Sequence, residues 1–561
     1  MIKLVWQKIK WDKINRKMNR LQLRIYNYSK KNNKRKIKYF QTYLIKNFDF
    51  KLLAVKNSIF YNKKKKYYLT PLFFLYNNKK IKNSNKVIKK LINKKIPKKK
   101  KISISKLVDN AKQYLIFFAL QPEWEAKFET SSYGYRPGRN IHDVIKLIKN
   151  YIQNNSNKKY FILQGNLLSF LNEFDYSLLI TKLNTLTIIE KQLVVWLRTN
   201  LIDFENFCLA LTKNKKDGFF FSINIRHELI PLKNILMPFF LNIMMQGLEN
   251  YLKSKLNKQI KFKSMCLVSY TNHFMFIHQN FETLQYLQFE LQNWLRLTLN
   301  LEIKAELLPI HTCTQGFNFL GFRFINLLQL NKFKLKIYPE KNAIKSLIKT
   351  IGFISRTNRA ISSYEFIKKL KPIIIAWVNY YELINYKKSF SRLNHSVFQI
   401  LRAWVFRRDP RHGRNKIKEK YFPSGNTYFY DGKTYNDNWT LVGKIKDSKN
   451  NTKTNFLPKF TWIKKNKYIK INPKISIYSN NSKYWINRII YSDNLNLLKK
   501  ELITIQKGKC PWCFLHIFLD QFDDLSIYFI LPFYLEGSKN IYNLQLFHKQ
   551  CLNEKKKFSS I

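Results

Sequence analysis

Two short pairs of soft donors lie far along the chain: Cys510-Pro-Trp-Cys513 and, after a mostly apolar stretch, His548-Lys-Gln-Cys551. Three thiols and an imidazole, each pair on one tight turn, suit a tetrahedral structural Zn²⁺. The competing reading is four unrelated residues drawn from six cysteines and nine histidines. A second run with chemistry in it is Leu120 to Asp143, LQPEWEAKFETSSYGYRPGRNIHD. Arg136 and Arg139 bracket Pro137-Gly138, a turn pair that sets two guanidinium groups on one rigid loop. Planar forks of this kind grip phosphate oxygens bidentately. The plain alternative is a basic surface turn above a small aromatic core. A third run, Leu393 to Phe422, interleaves Arg402, Arg407, Arg408, Arg411 and Arg414 with Trp404 and Phe406 and closes on Lys420 and Tyr421. Such a pattern suits a surface that neutralises phosphate while stacking on bases. A basic helix that merely stays wet is the alternative.

Composition narrows the partners. Lys and Arg number 102 against 34 Asp and Glu, a formal net charge of +68. Self-repulsion on that scale opposes a compact chain unless a polyanion screens it, and nucleic acid does so by phosphate neutralisation and counterion release. No apolar run is long enough to span a bilayer, so a membrane partner is not expected. With 45% hydrophobic and 16% aromatic residues, the chain buries sizeable cores and is no disordered polyelectrolyte. Its 561 residues suffice for about three or four domains. Scattered cysteines give no disulfide framework, which fits a reducing compartment. Enrichment in Lys, Asn, Ile, Phe and Tyr points to an AT-rich genome such as an organelle's and makes part of the charge mutational filler; the expected compartment is a plastid, with a mitochondrion as the alternative.

Helical spacing (Ile14, Met18, Leu21, Ile25, Tyr28) runs through Trp6 to Ser58, with a second helix expected from Phe40 to Val55. Residues 61–104 collapse to Lys, Asn and Ile and read as a solvated basic insertion. Ser105 to Ala119 and Ile141 to Ile152 read as helices entering and leaving the Arg loop. Phe161 to Leu183 reads as strand, turn and helix, Phe281 to Leu299 as a helix, and Asn342 to Tyr386 as helices.

Several of these stretches resemble group II intron reverse transcriptase/maturase proteins. SSYGYRPGR resembles the family's SYGFRPGR block, and WQKIKWDKINRKMNRLQLRI with KLLAVKNSI resembles its N-terminal extension. QGFNFLGFRF (Gln315 to Phe324) resembles GFxFLG. AWVNYYELI (Ala376 to Ile384) and the Arg-rich run resemble maturase domain X, with Asp409 where the family has His. GKCPWC and the segment through His548 and Cys551 resemble the appended HNH endonuclease module. The likeness implies an α+β fold: reverse-transcriptase-like fingers and palm, with an antiparallel sheet and helices; a helical thumb with domain X; and a small C-terminal zinc-bound HNH-like ββα module. The corresponding divisions are 1–60 (N-terminal RNA-binding extension), 61–104 (basic insertion), 105–330 (fingers and palm), 331–442 (thumb and domain X), 443–500 (linker or small β extension) and 501–561 (HNH-like module).

The same resemblance exposes losses. Asn166 stands at the first metal-binding Asp of the palm and Asn172 at the next acid, while Asp175 lies out of register. Leu232, Lys233 and Asn234 replace Gln-Gly-Gly. Tyr270, Thr271, Asn272 and His273 replace Tyr-Ala-Asp-Asp. Nucleotidyl transfer needs Mg²⁺ held by anionic oxygens, and amides and neutral imidazole are poor substitutes. In the HNH-like segment Tyr528 and Phe529 replace the His pair and Leu552 the last metal-binding His, and neither ring acts as a base near neutral pH. The expectation is a non-enzymatic member with no bound Mg²⁺ and a structural Zn²⁺ on Cys510, Cys513, His548 and Cys551. It would bind structured organellar RNA (group II or III intron, rRNA or pre-mRNA) through Arg136, Arg139 and the domain X residues. The alternatives are a ribosome- or ribonucleoprotein-associated structural protein with no splicing role and, last, an active polymerase or endonuclease.

Overall fold

The computed structural model describes residues 9–67, 102–154, 158–167, 176–199, 235–256, 265–303, 308–329, 332–384, 387–446, 452–463, 468–479, 481–491, 497–517, 525–531, 537–538, 540–549, 551–553 and 555. Most of the basic insertion, Asn172, Asp175 and the replaced Gln-Gly-Gly lie outside the described residues. Apolar residues at helical spacing produce Trp11–Lys30 (α1), Lys34–Lys46 (α2) and Phe48–Tyr67 (α3). Ile14, Met18, Leu21 and Ile25 form one buried stripe that shares a core with Ala111, Leu115 and Ala119 of Ile102–Lys127 (α4). The helix expected across Phe40 to Val55 is split at Asn47, whose backbone is extended and whose Oδ1 accepts from Asp49 N at 3.0 Å. A local side-chain cap thus begins a new helix where the apolar spacing alone continues.

The sheet at the place where the resemblance implies a palm has four antiparallel strands, in the order β2-β3-β1-β4. Its strands are Phe161–Asn166 (β1), Cys266–Tyr270 (β2), His273–His278 (β3) and Ile310–Thr312 (β4). Strand alternation sends Ile162, Val268, Met275 and Ile277 into one core and Leu163, Leu267, Phe274 and Phe276 into the other. Ile141–Gln153 (α5) covers the first face. Tyr176–Leu183 (α6), Thr187–Arg198 (α7), Met237–Met245 (α8), Leu248–Lys255 (α9) and Phe281–Leu299 (α10) contribute to the second core.

A three-stranded sheet follows, Phe317–Phe319 (β5), Phe322–Gln329 (β6) and Lys332–Pro339 (β7). It leads into the helices Lys341–Thr357 (α11), Ser363–Tyr380 (α12), Lys387–Arg408 (α13) and Arg414–Tyr421 (α14). Hairpins Thr427–Tyr430 (β8) with Lys433–Asn436 (β9), and Val442–Lys446 (β10) with Thr452–Phe456 (β11), come next. The hairpin β10-β11 matches the small β extension expected after residue 443. The remainder of 443–500 is no linker: Phe460, Ile471 and Trp485 are buried in the palm and thumb core, and Ser482–Ile490 (α15) lies against the Arg loop. Aromatic residues that look isolated in a polar sequence are here the anchors of a strap. Leu497–Ile505 (α16), Leu525–Phe529 (β12) and Leu544–His548 (β13) build the C-terminal module around Leu502, Ile503, Ile517 and Leu546.

Candidate nucleic-acid interface and metal centre

The Arg loop does not face outward. Arg136 and Arg139 are each 5% exposed. Arg136 forks onto buried Glu125, Nε to Oε2 and Nη2 to Oε1, both at 2.9 Å, and its Nη1 donates to the carbonyls of Glu129 and Ser132. Arg139 donates to the carbonyls of Ser132 (3.0 Å) and Pro473 (2.6 Å). Burial, then the nearby Arg136 charge, pulls its guanidinium down to about 10, still protonated at neutral pH. Both forks are used inside the protein, which corrects the expectation of a phosphate grip at Arg136 and Arg139. The bidentate geometry anticipated for phosphate is realised on a carboxylate instead.

What the loop grips is the palm hairpin. Tyr133 N donates to Ser269 O and Ser269 N to Ser131 O, each at 2.9 Å. Gly134 presses on the turn: a Cβ there would sit 2.4 Å from Thr271 N. Gly138, at φ +76°, leaves no room for a Cβ beneath the Trp485 ring, 2.6 Å away. Asn140 and Asp143 then form a capping box at the start of α5. Asp143, fully buried, also accepts from Arg488 Nη2 at 2.8 Å and Ile471 N at 2.6 Å. Glu125 and Arg488 are partners that sequence reading missed. Nothing in the chain announces a partner 345 residues away.

At the turn between β2 and β3, Asn272 Nδ2 donates to Asn166 Oδ1 at 2.7 Å, and Thr271 Oγ1 donates to Asn272 Oδ1 at 2.9 Å. Asn166 is also the strand partner of His273. Two carboxylates this close would repel unless a cation lay between them. Two amides satisfy each other and carry no charge. Among the described residues the palm turn supplies no group of metal donors; the Cys/His cluster does.

In the Arg-rich run the helix divides the expected contacts. Trp404 is 2% exposed, stacked on Phe366 at 4.1 Å, with Nε1 donating to Asn358 O. Tyr421 is 5% exposed within the same core. Neither ring is presented to a base, which corrects both as stacking platforms: α13 and α14 use their aromatic face to pack on the thumb. Arg408 is half-buried, held by the carbonyls of Arg359 and Ile361. Arg402, Arg407, Arg411, Arg414 and Lys420 are exposed. Lys420 pairs with Asp409 at 2.7 Å, and Asp409 also meets His412. The Asp substituted for the family's His therefore occupies one cation rather than emptying the patch.

The Cys510, Cys513 and Cys551 sulfurs and a ring nitrogen of His548 lie within 4.8 Å of one another. Cys513 Sγ is 3.4 Å and Cys551 Sγ 3.8 Å from His548 Nδ1. Bond lengths of ~2.3 Å to sulfur and ~2.0 Å to nitrogen give tetrahedral edges of about 3.5–4 Å, so the cluster fits a metal ion and is compatible with zinc. The first pair sits on a knuckle closed by Cys510 N to Leu515 O and Phe514 N to Cys510 O. His548 ends β13 and Cys551 follows one helical turn later. Hydrogen bonds with Cys513, then Cys551, hold the Cys510 thiol far below the usual thiol range, while those with Cys510, then Cys513, push Cys551 far above it; thiolate is the form that binds metal. Leu552 packs with Cys510 and Phe547 as an apolar wall of the cluster. Tyr528 and Phe529 are ladder residues of β12, paired with Gln545 and Leu544. The knuckle docks on the first helix: Asn19 Nδ2 donates to Phe514 O at 3.1 Å and Arg16 lies 4.2 Å over the Phe514 ring.

Residues 344–422 match the model of the group II intron maturase-specific domain, and residues 6–68 match that of the N-terminal domain of reverse transcriptase. Over these two stretches the chain matches domains of group II intron maturases and of reverse transcriptases. Protein YkfC of Escherichia coli (strain K12) is 27% identical over 157 residues, spanning 28% of this chain and 37% of that protein. The chain thus aligns with little more than a third of that relative's length. A solved telomerase from Candida albicans, in complex with a TWJ fragment of telomeric RNA, matches 56% of this chain and 58% of its own at 11% identity and a TM-score of 0.27. The maturase-specific match runs from within α11 to the end of α14 and includes each exposed cation named above. No described helix is long and apolar enough to cross a membrane.

Proposed function

We propose that this maturase-family protein binds structured RNA without polymerising nucleotides, and that it holds an organellar intron RNA in its splicing-competent fold. The amide pair Asn166–Asn272 carries this reading, because it stands where a polymerase palm needs carboxylates to hold Mg²⁺. Primer extension on an RNA template with Mg²⁺ or Mn²⁺ tests it. No product above background is expected, and clear synthesis that Asn272→Ala or Asn166→Ala abolishes would overturn the proposal. Crosslinking in the organelle, proposed to be a plastid, should enrich intron domains over rRNA. Enrichment on rRNA would favour a ribosome-associated role instead.

The exposed cations of domain X are proposed as the phosphate-facing part of that surface. Changing Arg402, Arg407, Arg411 and Arg414 together to Gln should weaken RNA binding for all sequences alike. The slope of log K against log salt should fall by roughly three units, since each phosphate contact on single-stranded RNA contributes about 0.7. Filter binding between low and moderate salt reads this directly, and an unchanged slope would remove these residues from the interface. The Cys/His cluster is proposed to bind Zn²⁺ as the staple of an HNH-like module, with Tyr528, Phe529 and Leu552 serving packing rather than hydrolysis.

A further inference from the structure

The outer face of α10 breaks the rule the rest of the chain obeys. Residues 264–303 contain one cation, Arg296, and no Lys, whereas the chain's average of 102 Lys and Arg in 561 residues would place about seven there. Glu282, Glu290 and Glu302 make the stretch net acidic. A polyanion gains nothing on such a surface. Yet α10 presents large apolar side chains to solvent: Phe281, Tyr286, Phe289 (58% exposed) and Leu297 (72% exposed). Its inner face, with Leu284, Leu287, Leu291, Trp294 and Leu295, is fully used in the palm core. The exposed stripe is therefore a second apolar face, the arrangement of a helix that packs on both sides.

The stripe is also symmetric in its chemistry. Glu282 and Arg296 lie seven residues before and after Phe289, nearly two turns in each direction, and so share its face. Phe281 and Leu297 are likewise eight residues to either side. A helix that mates with a second copy of itself in antiparallel fashion needs this pattern: apolar in the middle, opposite charges at the two ends. We propose that α10 is the two-fold interface of a homodimer. Phe289 packs on Phe289 of the second copy at the axis, Glu282 faces Arg296 of that copy, and Phe281 lies beside its Leu297. The cation-poor stretch removes local repulsion from two chains of +68 each, and it leaves the basic surfaces of both copies free for RNA.

Sedimentation of the nuclease-treated full chain at about 10 μM in roughly 0.5 M salt, where the Debye length is only ~4 Å, tests the proposal. Wild type is expected to sediment as a dimer. Phe289→Lys should raise the dissociation constant at least tenfold, and because Phe289 is exposed the fold should persist. Glu282→Arg should weaken association by opposing Arg296 of the second copy. The double exchange Glu282→Arg/Arg296→Glu should regain wild-type association, a rescue that a general loss of structure does not produce. A monomeric wild type would overturn the proposal, as would dimers indifferent to Phe289→Lys or a double exchange no better than the single. A monomer whose Tyr286 and Phe289 resist hydroxyl-radical labelling would overturn it too, since another segment of the same chain would then cover the face.

Discussion

Removing the metal donors is expected to unfold the C-terminal module. In the double substitution Cys510→Ser/Cys551→Ser, bound zinc measured by elemental analysis should fall from about one equivalent to none. Hydrogen exchange over residues 501–555 should lose its protection, and a strong chelator should do the same to wild type. The reason is size. The module's apolar core amounts to a handful of residues around Leu502, Ile503, Ile517, Leu525 and Leu546, on a two-stranded ladder that is marginal alone in water. Structural zinc supplies about 10–16 kcal/mol of apparent binding free energy at neutral pH in comparable small sites, and that energy is folding energy. The effect should reach the other end of the described chain, because the knuckle carries the carbonyl that Asn19 donates to and the ring under Arg16. Proteolysis within α1 should therefore quicken when the metal is stripped. Zinc that stays bound in the double variant would refute the four-donor assignment.

The second large effect is expected at Arg488. Arg488→Ala should destabilise the palm by about 3–5 kcal/mol, the usual cost of leaving one member of a buried ion pair alone. Asp143 is fully buried and would be left with Ile471 N and Asn140 N as its remaining donors. Arg488 further donates to the carbonyls of Ile469 and Gly138, so its removal also frees the strap from the Arg loop. Urea denaturation followed by near-ultraviolet circular dichroism reads the loss. Asp143→Asn/Arg488→Met, which removes both charges, should recover part of it. Similar destabilisation in the double variant would show that the packing of the strap, rather than the pair, carries the energy.

The chain's own pattern determined a good deal. Helix and strand periodicity placed Ile141 to Ile152, Phe161 onward and Phe281 to Leu299 close to their observed bounds, since local burial decides such elements. The two Cys/His pairs specified the cluster because a tetrahedral site needs four soft donors on short turns and the chain offers them in no other arrangement among the described residues. The resemblance implies Asn166 and Asn272 where a palm has carboxylates, and in the structure the two amides hydrogen-bond to each other.

Only tertiary structure could decide which arginines and aromatics face water. Arg136 and Arg402 carry the same guanidinium, but Glu125 on α4 internalises the first, while among the described residues no carboxylate pairs with the second. Trp404 and Tyr421 share the spacing of a base-stacking surface, yet the thumb core claims them because burying a ring stabilises more than leaving it wet. The strap at 460–490 looked like linker because its anchors are single aromatics whose partners lie hundreds of residues back. Long-range pairing leaves no periodic trace in a sequence, and that is why the loop with two arginines, legible as a grip, had to be seen folded before it was clear that what it grips is the protein itself.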